Sequence, residues 1–302
     1  MADPQALTVG VTTRNRPLSL VRCLRSLELL GNVLTEVIVV DDSSEVAVAG
    51  SLDLPPSLAA RTRVVRQTAS EGYITARNTI MRLATTEHVL LLDDDAYLIG
   101  VGGLTEALAI MKRHPEVAAI GCAQAEADGR PWPTAMQPAP VSYRCRVAAF
   151  IGFAHLLSRR IFHQVGGYHE DLHFYGEEKS LCARLLKAGF QVLYLPDVLV
   201  AHVPDPIGRS PERYLRHVVR NDCLFALRYL PWPAACVHLP VRLARYFVMK
   251  RRGLIADPSG FFWIVSELAR AAPAVFSSRT PMTWADLAHW RQLSRHSPAW
   301  PA

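Results

Sequence analysis

Val89-Leu90-Leu91-Leu92-Asp93-Asp94-Asp95-Ala96 is the stretch that decides the fold of this chain. Its apolar residues read as a strand buried on both faces, as central strands of parallel or mixed sheets are. The aspartates stand where that strand must end. Carboxylates packed this closely repel one another, and leaving them unneutralised costs free energy. A divalent cation removes the cost, and Mg2+ or Mn2+ takes oxygen ligands while keeping positions open for phosphate oxygens. Ligands of open α/β sheets bind at the carboxyl edge. The triplet is either a metal site for a phosphate-bearing ligand or a solvated acidic turn.

Working outward, the chain alternates strand and helix. Leu7 to Thr12 reads as a first strand, broken by Thr13-Arg14-Asn15-Arg16-Pro17. Leu18 to Leu30 has helical spacing and ends at Gly31-Asn32, a common helix stop. Glu36 to Val40 is a second buried strand and runs into Asp41-Asp42. Arg63 to Arg66 is a third strand, and Tyr73 to Ala84 a helix before the triplet strand. Such alternation predicts a doubly wound, mostly parallel sheet flanked by helices. Gly103 to His114 continues it as a helix, and Val117 to Cys122 as a strand. Val147 to Ser158 reads as a strand or strand pair. Phe190 to Leu195 and Val198 to Val203 read as two further strands. Residues 126–142 are rich in Pro, Gly and polar groups and read as a long loop. Trp132 within it suits either stacking on a sugar or packing into an apolar patch.

Composition sets limits on function. The 302 residues suffice for a catalytic domain plus an appendage; the division falls at residues 1–205 and 206–302, the second part basic and mainly helical. Six scattered cysteines without a C-x-x-C pair predict reduced thiols rather than a disulfide scaffold or zinc site. No signal peptide or membrane span is read, so a cytoplasmic setting is expected. Residues 1–203 carry 19 Lys/Arg and 21 Asp/Glu, whereas residues 204–302 carry 14 and 6. No nucleic-acid motif accompanies that basic third. Leu239 to Arg252 mixes apolar residues with Arg242, Arg245, Lys250, Arg251 and Arg252. This suits a helix lying on the inner face of a membrane, or an ordinary packed helix with a basic outer face.

Two acidic clusters on one carboxyl edge, Asp41-Asp42 and Asp93-Asp94-Asp95, favour a shared ligand site. Glu177-Glu178 opens a helix, where carboxylates either stabilise the helix end or act as a general base. His202 after a strand is structural, a metal ligand or a phosphate contact. Arg77 either reaches a phosphate or lies on a solvated helix face. Ser210, Arg213, Arg220 and Asn221 suit a basic flap over a diphosphate, or the surface.

Taken in order, these segments resemble the family 2 glycosyltransferases of GT-A fold, from about residue 7 to about residue 232. The motifs are Val11-Thr12-Thr13-Arg14-Asn15-Arg16, Val39-Val40-Asp41-Asp42-Ser43-Ser44, Ala76-Arg77-Asn78, Leu92-Asp93-Asp94-Asp95-Ala96 and Tyr175-Gly176-Glu177-Glu178. The Gly152 to His202 stretch matches most fully.

The resemblance implies that Thr12, Arg14 and Asp42 face the nucleotide base. Asp94 would meet the ribose, with Asp93 assisting, and Arg77 would approach the diphosphate. Asp95 and His202 would hold Mg2+ or Mn2+. Glu178, or its neighbour Glu177, would be the base, standing where the family carries Asp. Val203-Pro204-Asp205-Pro206 departs from the His-Gly-Gly-type pattern.

The implied reaction is inverting transfer of a sugar from a nucleoside-diphosphate donor, UDP- or dTDP-linked by family default, to an acceptor hydroxyl. The acceptor would be a glycan, a lipid-linked glycan or a small aglycone. A non-catalytic nucleotide-sugar- or carbohydrate-binding protein of the same fold is the other reading. A sugar-nucleotide pyrophosphorylase is disfavoured because Thr13 to Pro17 contains no glycine.

Overall fold

The computed structural model describes residues 6–301. In chain order it forms β1 (Leu7–Thr13), α1 (Pro17–Ser26), β2 (Leu34–Asp41), α2 (Pro56–Ala59), β3 (Thr62–Arg66) and α3 (Tyr73–Leu83). Then come β4 (His88–Asp93), β5 (Ala96–Leu98), α4 (Gly102–Arg113), β6 (Val117–Ala125), β7 (Cys145–Arg146), β8 (Ala154–Ser158) and α5 (Arg159–Gln164). The chain closes with α6 (Glu177–Lys187), β9 (Gln191–His202), α7 (Pro211–Tyr229), α8 (Trp232–Arg252), α9 (Gly260–Ser277) and α10 (Trp284–His296).

The strands make one sheet in the order β3-β2-β1-β4-β8-β6-β9-β5, with β7 beside β9. β3, β2, β1 and β4 run parallel, as do β6 and β9, whereas β8 runs antiparallel to both its neighbours. The sheet is thus mixed and mostly parallel. Thr13 pairs with Asp41, and Thr12 with Asp93, so β1, β2 and β4 end on one edge. β9 brings His202 to that edge beside Ala96.

The period-two alternation of a strand assigns its side chains to opposite faces. Leu90 and Leu92 pack with α1 and α4 through Leu20, Leu24, Leu104 and Leu108. Val89 and Leu91 pack with α3 and α6 through Ile74, Ile80, Leu181 and Leu185. Gly10 lets α3 close onto β1, because a Cβ there would lie 2.3 Å from Ile80.

Three local expectations are corrected. α1 stops at Ser26, and a 3-10 segment with Gly31 at φ 51° follows. Val147 to Phe153 is not strand; only Ala154–Ser158 enters the sheet there. The two final strands are one, β9, because an irregularity lets β6 pair Cys122 with Leu195 and Ala123 with Leu199. The skipped residues include Pro196, which has no N–H for a ladder.

Among the described residues all six cysteines are free, and no helix is long and apolar enough to cross a membrane. Leu224 and Leu227 of α7 and Val275 of α9 join the same core as α3 and α6. A smaller core of Leu215, Val219, Tyr246 and Ile264 ties α7, α8 and α9 together.

Candidate active site

The carboxyl edge gathers Asp93, Asp94, Asp95 and His202. One ligand atom each from Asp93, Asp95 and His202 lies within 4.8 Å of the others. His202 is sandwiched by Trp132 and Phe153, with ring centroids 5.4 and 5.0 Å away. Its Nδ1 lies 2.7 Å from Gln124 Oε1. The Gln124 amide nitrogen donates to Met136 O, so its oxygen accepts. Nδ1 therefore carries a proton, which leaves Nε2, 3.5 Å from Asp95, as the nitrogen that would bind a metal once it gives up its own proton. A second partner that fixes the tautomer in this way is usual for metal-bound histidine. Two carboxylates and an imidazole nitrogen suit Mn2+ or Mg2+, the imidazole favouring the softer ion.

Cations already meet the aspartates. Arg16 Nη1 donates to Asp94 Oδ1 at 3.1 Å and stands 3.6 Å from Asp95. Arg209 Nη2 donates to Asp95 Oδ2 at 3.0 Å, and the Asp205 backbone N–H donates to the same oxygen at 2.9 Å. Thr13 Oγ1 donates to Asp94 at 2.7 Å. Burial pushes Asp94 up to about 7, against the pull of Arg16 and Thr13. Burial also works against ionised Asp95, yet hydrogen bonds from His202 and the Asp205 backbone hold it down at about 2. Sequence reasoning missed Arg16, Thr13 and Arg209. Arg16 sits two positions beyond Arg14 in the same loop, which was the available signal.

Asp41 and Asp42 are differently placed. Asp41 accepts from the backbone of Ser44 at 2.9 Å and Val48 at 3.3 Å, and from Arg66 at 3.2 Å. Asp42 accepts from Ser70 Oγ at 2.8 Å and from the backbone N–H of Glu71 and Gly72 at 2.7 and 3.2 Å. Both are buried. Thr12 is buried within β1, and Arg14 is exposed beyond Thr13.

Arg77 connects this edge to the glutamates. It is 2% exposed. Nη2 donates to Asp93 at 2.7 Å and to Gly152 O at 2.6 Å, while Nη1 donates to Glu177 at 2.8 Å. Burial disfavours its charge, but Asp93 and Glu177 more than offset that and raise its pKa. Glu177 is fully buried, and its other oxygen accepts from Tyr73 OH at 3.0 Å. Glu178 is only partly buried. Gly152 leaves room for it, since a Cβ there would lie 1.9 Å from Glu178 Oε1. Burial raises both glutamates, opposed at each by Arg77; the charge of Glu177 raises Glu178 further, well above the usual carboxylate range.

The turn before these glutamates is held from α7. Asn221 Nδ2 donates to the carbonyls of Leu172, Phe174 and Tyr175 at 2.9, 2.9 and 2.6 Å. Arg220 donates to Asp171 O at 3.0 Å. Neither residue belongs to an open flap or the surface: they are 3% and 4% exposed, Arg220 and Asn221 respectively. His173 and Tyr175 have φ of 57° and 66°, a conformation that non-glycine residues adopt at a cost and that often marks a functional turn.

The sequence pattern described as Glycosyl transferase family 2 matches residues 8–175. The pre-mycofactocin glycosyltransferase of Mycobacterium tuberculosis (strain H37Rv) is 31% identical over 208 residues, covering 65% of this chain and 42% of that protein. The chain thus spans less than half the length of that relative. The N-acetylglucosaminyl-diphospho-decaprenol L-rhamnosyltransferase of the same organism is 28% identical over 269 residues, covering 74% of this chain and 85% of that protein. The structure of S. aureus TarS 1-349 superposes with a TM-score of 0.60 at 17% identity, covering 96% of this chain and 90% of that one. The mannosyltransferase PcManGT from Pyrobaculum calidifontis, solved with GDP-Man and Mn2+, gives 0.57 at 18% identity, covering 96% and 80%. At such identities the structural likeness shows a shared fold.

Proposed function

The chain belongs to glycosyl transferase family 2, and on that premise we propose that it is a metal-dependent, inverting glycosyltransferase. It would use a nucleoside-diphosphate sugar, UDP- or dTDP-linked in the first instance, and an acceptor hydroxyl. The observation that carries this reading is the convergence of Asp93, Asp95 and His202 on an edge that Arg77 ties to a raised carboxyl pair.

Asp93, Asp95 and the His202 Nε2 lone pair would hold Mn2+ or Mg2+, which when bound supplies charge neutralisation for the leaving diphosphate. Thr12, Arg14 and Asp42 remain the residues assigned to the base, and Asp94 to the ribose. Asp42 would serve the base by shaping the Ser70–Gly72 turn that it holds, as well as through its carboxylate. Arg77 would set the spacing between donor and base. Glu178, once ionised, would take the proton of the attacking hydroxyl: a carboxylate of raised pKa is a stronger base, and Glu178 is the more exposed of the pair. Both oxygens of Glu177 already serve Arg77 and Tyr73. A single displacement inverts the anomeric centre. Residues up to 205 would carry donor and base, and residues 206–302 the cover over them and a contact with the inner face of a membrane.

A thermal-shift screen tests this. UDP, dTDP, GDP and their sugars are compared with and without Mn2+ on the wild type and Asp95→Ala. A ligand at 100 times its Kd adds about 2.7 kcal/mol. A shift that needs one nucleotide, Mn2+ and Asp95 supports the donor site. No metal-dependent shift with any nucleotide sinks it.

A further inference from the structure

The C-terminal helices expose large apolar side chains at one corner. Phe247 near the end of α8 is 54% exposed, Leu254 just beyond it 92%, and Phe262 at the start of α9 75%. The Phe247 and Phe261 rings lie 5.0 Å apart, and those of Phe261 and Phe262 6.1 Å. Clustered exposed apolar groups mark interaction surfaces. Leu254 has a φ of 51°, which a branched L residue adopts only at a cost. The turn thus projects a leucine where glycine would be easier. Lys250, Arg251 and Arg252 close α8, and the two arginines are exposed. Between Phe247 and Phe262 the only acid is Asp257, which is buried. Aromatics flanked by unopposed cations match an anionic lipid surface better than another apolar protein face.

The corner is fixed relative to the candidate active site. Asp257 accepts from Arg216 Nε of α7 at 3.0 Å, and its carbonyl accepts from Tyr246 OH and Lys250 Nζ, each at 2.7 Å. The same start of α7 faces the turn before the glutamates. The Arg213 guanidinium lies 4.5 Å over the Phe174 ring, and His217 stands 5.6 Å from Phe174 and 5.1 Å from Trp263. Arg213, Arg216, His217 and Trp263 line a cleft of about 290 Å³ there. Trp263 of this cleft follows Phe261 and Phe262 of the corner in the chain, and Phe174 beneath Arg213 belongs to the turn that leads to Glu178.

We propose that the α8–α9 corner docks on an anionic bilayer. Phe247, Leu254 and Phe262 enter the headgroup region, and Arg251 and Arg252 meet lipid phosphates. Docking presents the α7–α9 cleft to an acceptor whose anchor stays in the membrane; this second step rests on the transferase reading above.

The test is co-flotation of the full chain with vesicles of phosphatidylcholine alone or mixed with phosphatidylglycerol. Binding is expected only with the anionic mixture and falls at high salt. Arg251→Glu with Arg252→Glu should weaken it at least about tenfold, and Phe247→Ser with Phe262→Ser should also release the protein. Circular dichroism of both variants checks that they fold. Equal flotation with both vesicle types, no flotation, or unaltered binding by folded variants overturns the proposal. So does sedimentation showing that the same residues instead close a dimer. The readout needs neither donor nor acceptor, so failure to dock and failure to transfer are scored separately.

Discussion

The ends of β2 and β4 carry similar acidic runs but surround them with different partners. At β2, backbone N–H groups, a hydroxyl and one arginine take up Asp41 and Asp42, which fasten the turns at residues 43–48 and 70–72. At β4, Asp93, Asp94 and Asp95 meet mostly side chains, namely arginines, a histidine and the Thr13 hydroxyl, with one backbone N–H from Asp205. Backbone donors are part of the fold and cannot leave without unfolding a loop. A half-exposed guanidinium such as that of Arg209 can leave. The first cluster is therefore tied mainly to its own loops, while Asp95 in the second also meets a half-exposed guanidinium that can exchange.

The largest expected effect lies at the glutamate pair that Arg77 joins to the β4 cluster through Glu177. Glu178→Gln should cut transfer about 10²–10⁴-fold while leaving Mn2+-dependent nucleotide binding intact. If Glu177→Gln does this and Glu178→Gln does not, the roles are reversed.

The contrast between the clusters breaks if Asp41→Ala behaves like Asp95→Ala. Asp41→Ala should strand two backbone donors and Arg66, costing about 3 kcal/mol and several degrees in Tm. Asp95→Ala should instead abolish the metal-dependent nucleotide shift, with a smaller loss of Tm.

A third test reads the raised pKa values through stability. Burial and the charge of Glu177 raise Glu178 in the native state, which therefore keeps a proton that the unfolded chain releases above about pH 4.3. Its contribution is complete below that pH and is lost as pH rises through the raised native value. Glu178→Gln should increase Tm at pH 8, and the gain should vanish near pH 4. An equal gain at both pH values would show that charge is not its source.

The smallest effect sharpens the notion of exchangeable partners. Arg209→Ala removes a competitor from Asp95 and should tighten Mn2+ binding about fivefold, the scale of one partly exposed ion pair. Titration followed by electron paramagnetic resonance of free Mn2+ measures it. Weaker binding would mean that Arg209 positions Asp95 rather than competes for it.

Much of this was legible in the sequence. Buried strands announce themselves by unbroken apolar runs, and acids at their ends can be placed on a common edge once the strands are known to be parallel. Glu177-Glu178 could be found at a helix start, but not told apart: neighbouring helix positions point about 100° apart, and only packing shows which one is buried. Asp42 and Asp95 look alike in the sequence. Ser70 to Gly72 and Asp205 to Arg209, their respective partners, lie about 30 and 110 residues away.

The sequence by itself determined the alternation of strands and helices, the acidic carboxyl edge and the family, because these depend on short-range periodicity and ordered motifs. Only the tertiary structure decided which carboxylates are spent on loops, that Arg77 spans Asp93 and Glu177, and that Phe247, Leu254 and Phe262 share one corner. Those outcomes depend on burial and on partners far apart in the chain, and a charge has no assigned role until its neighbours in space are known.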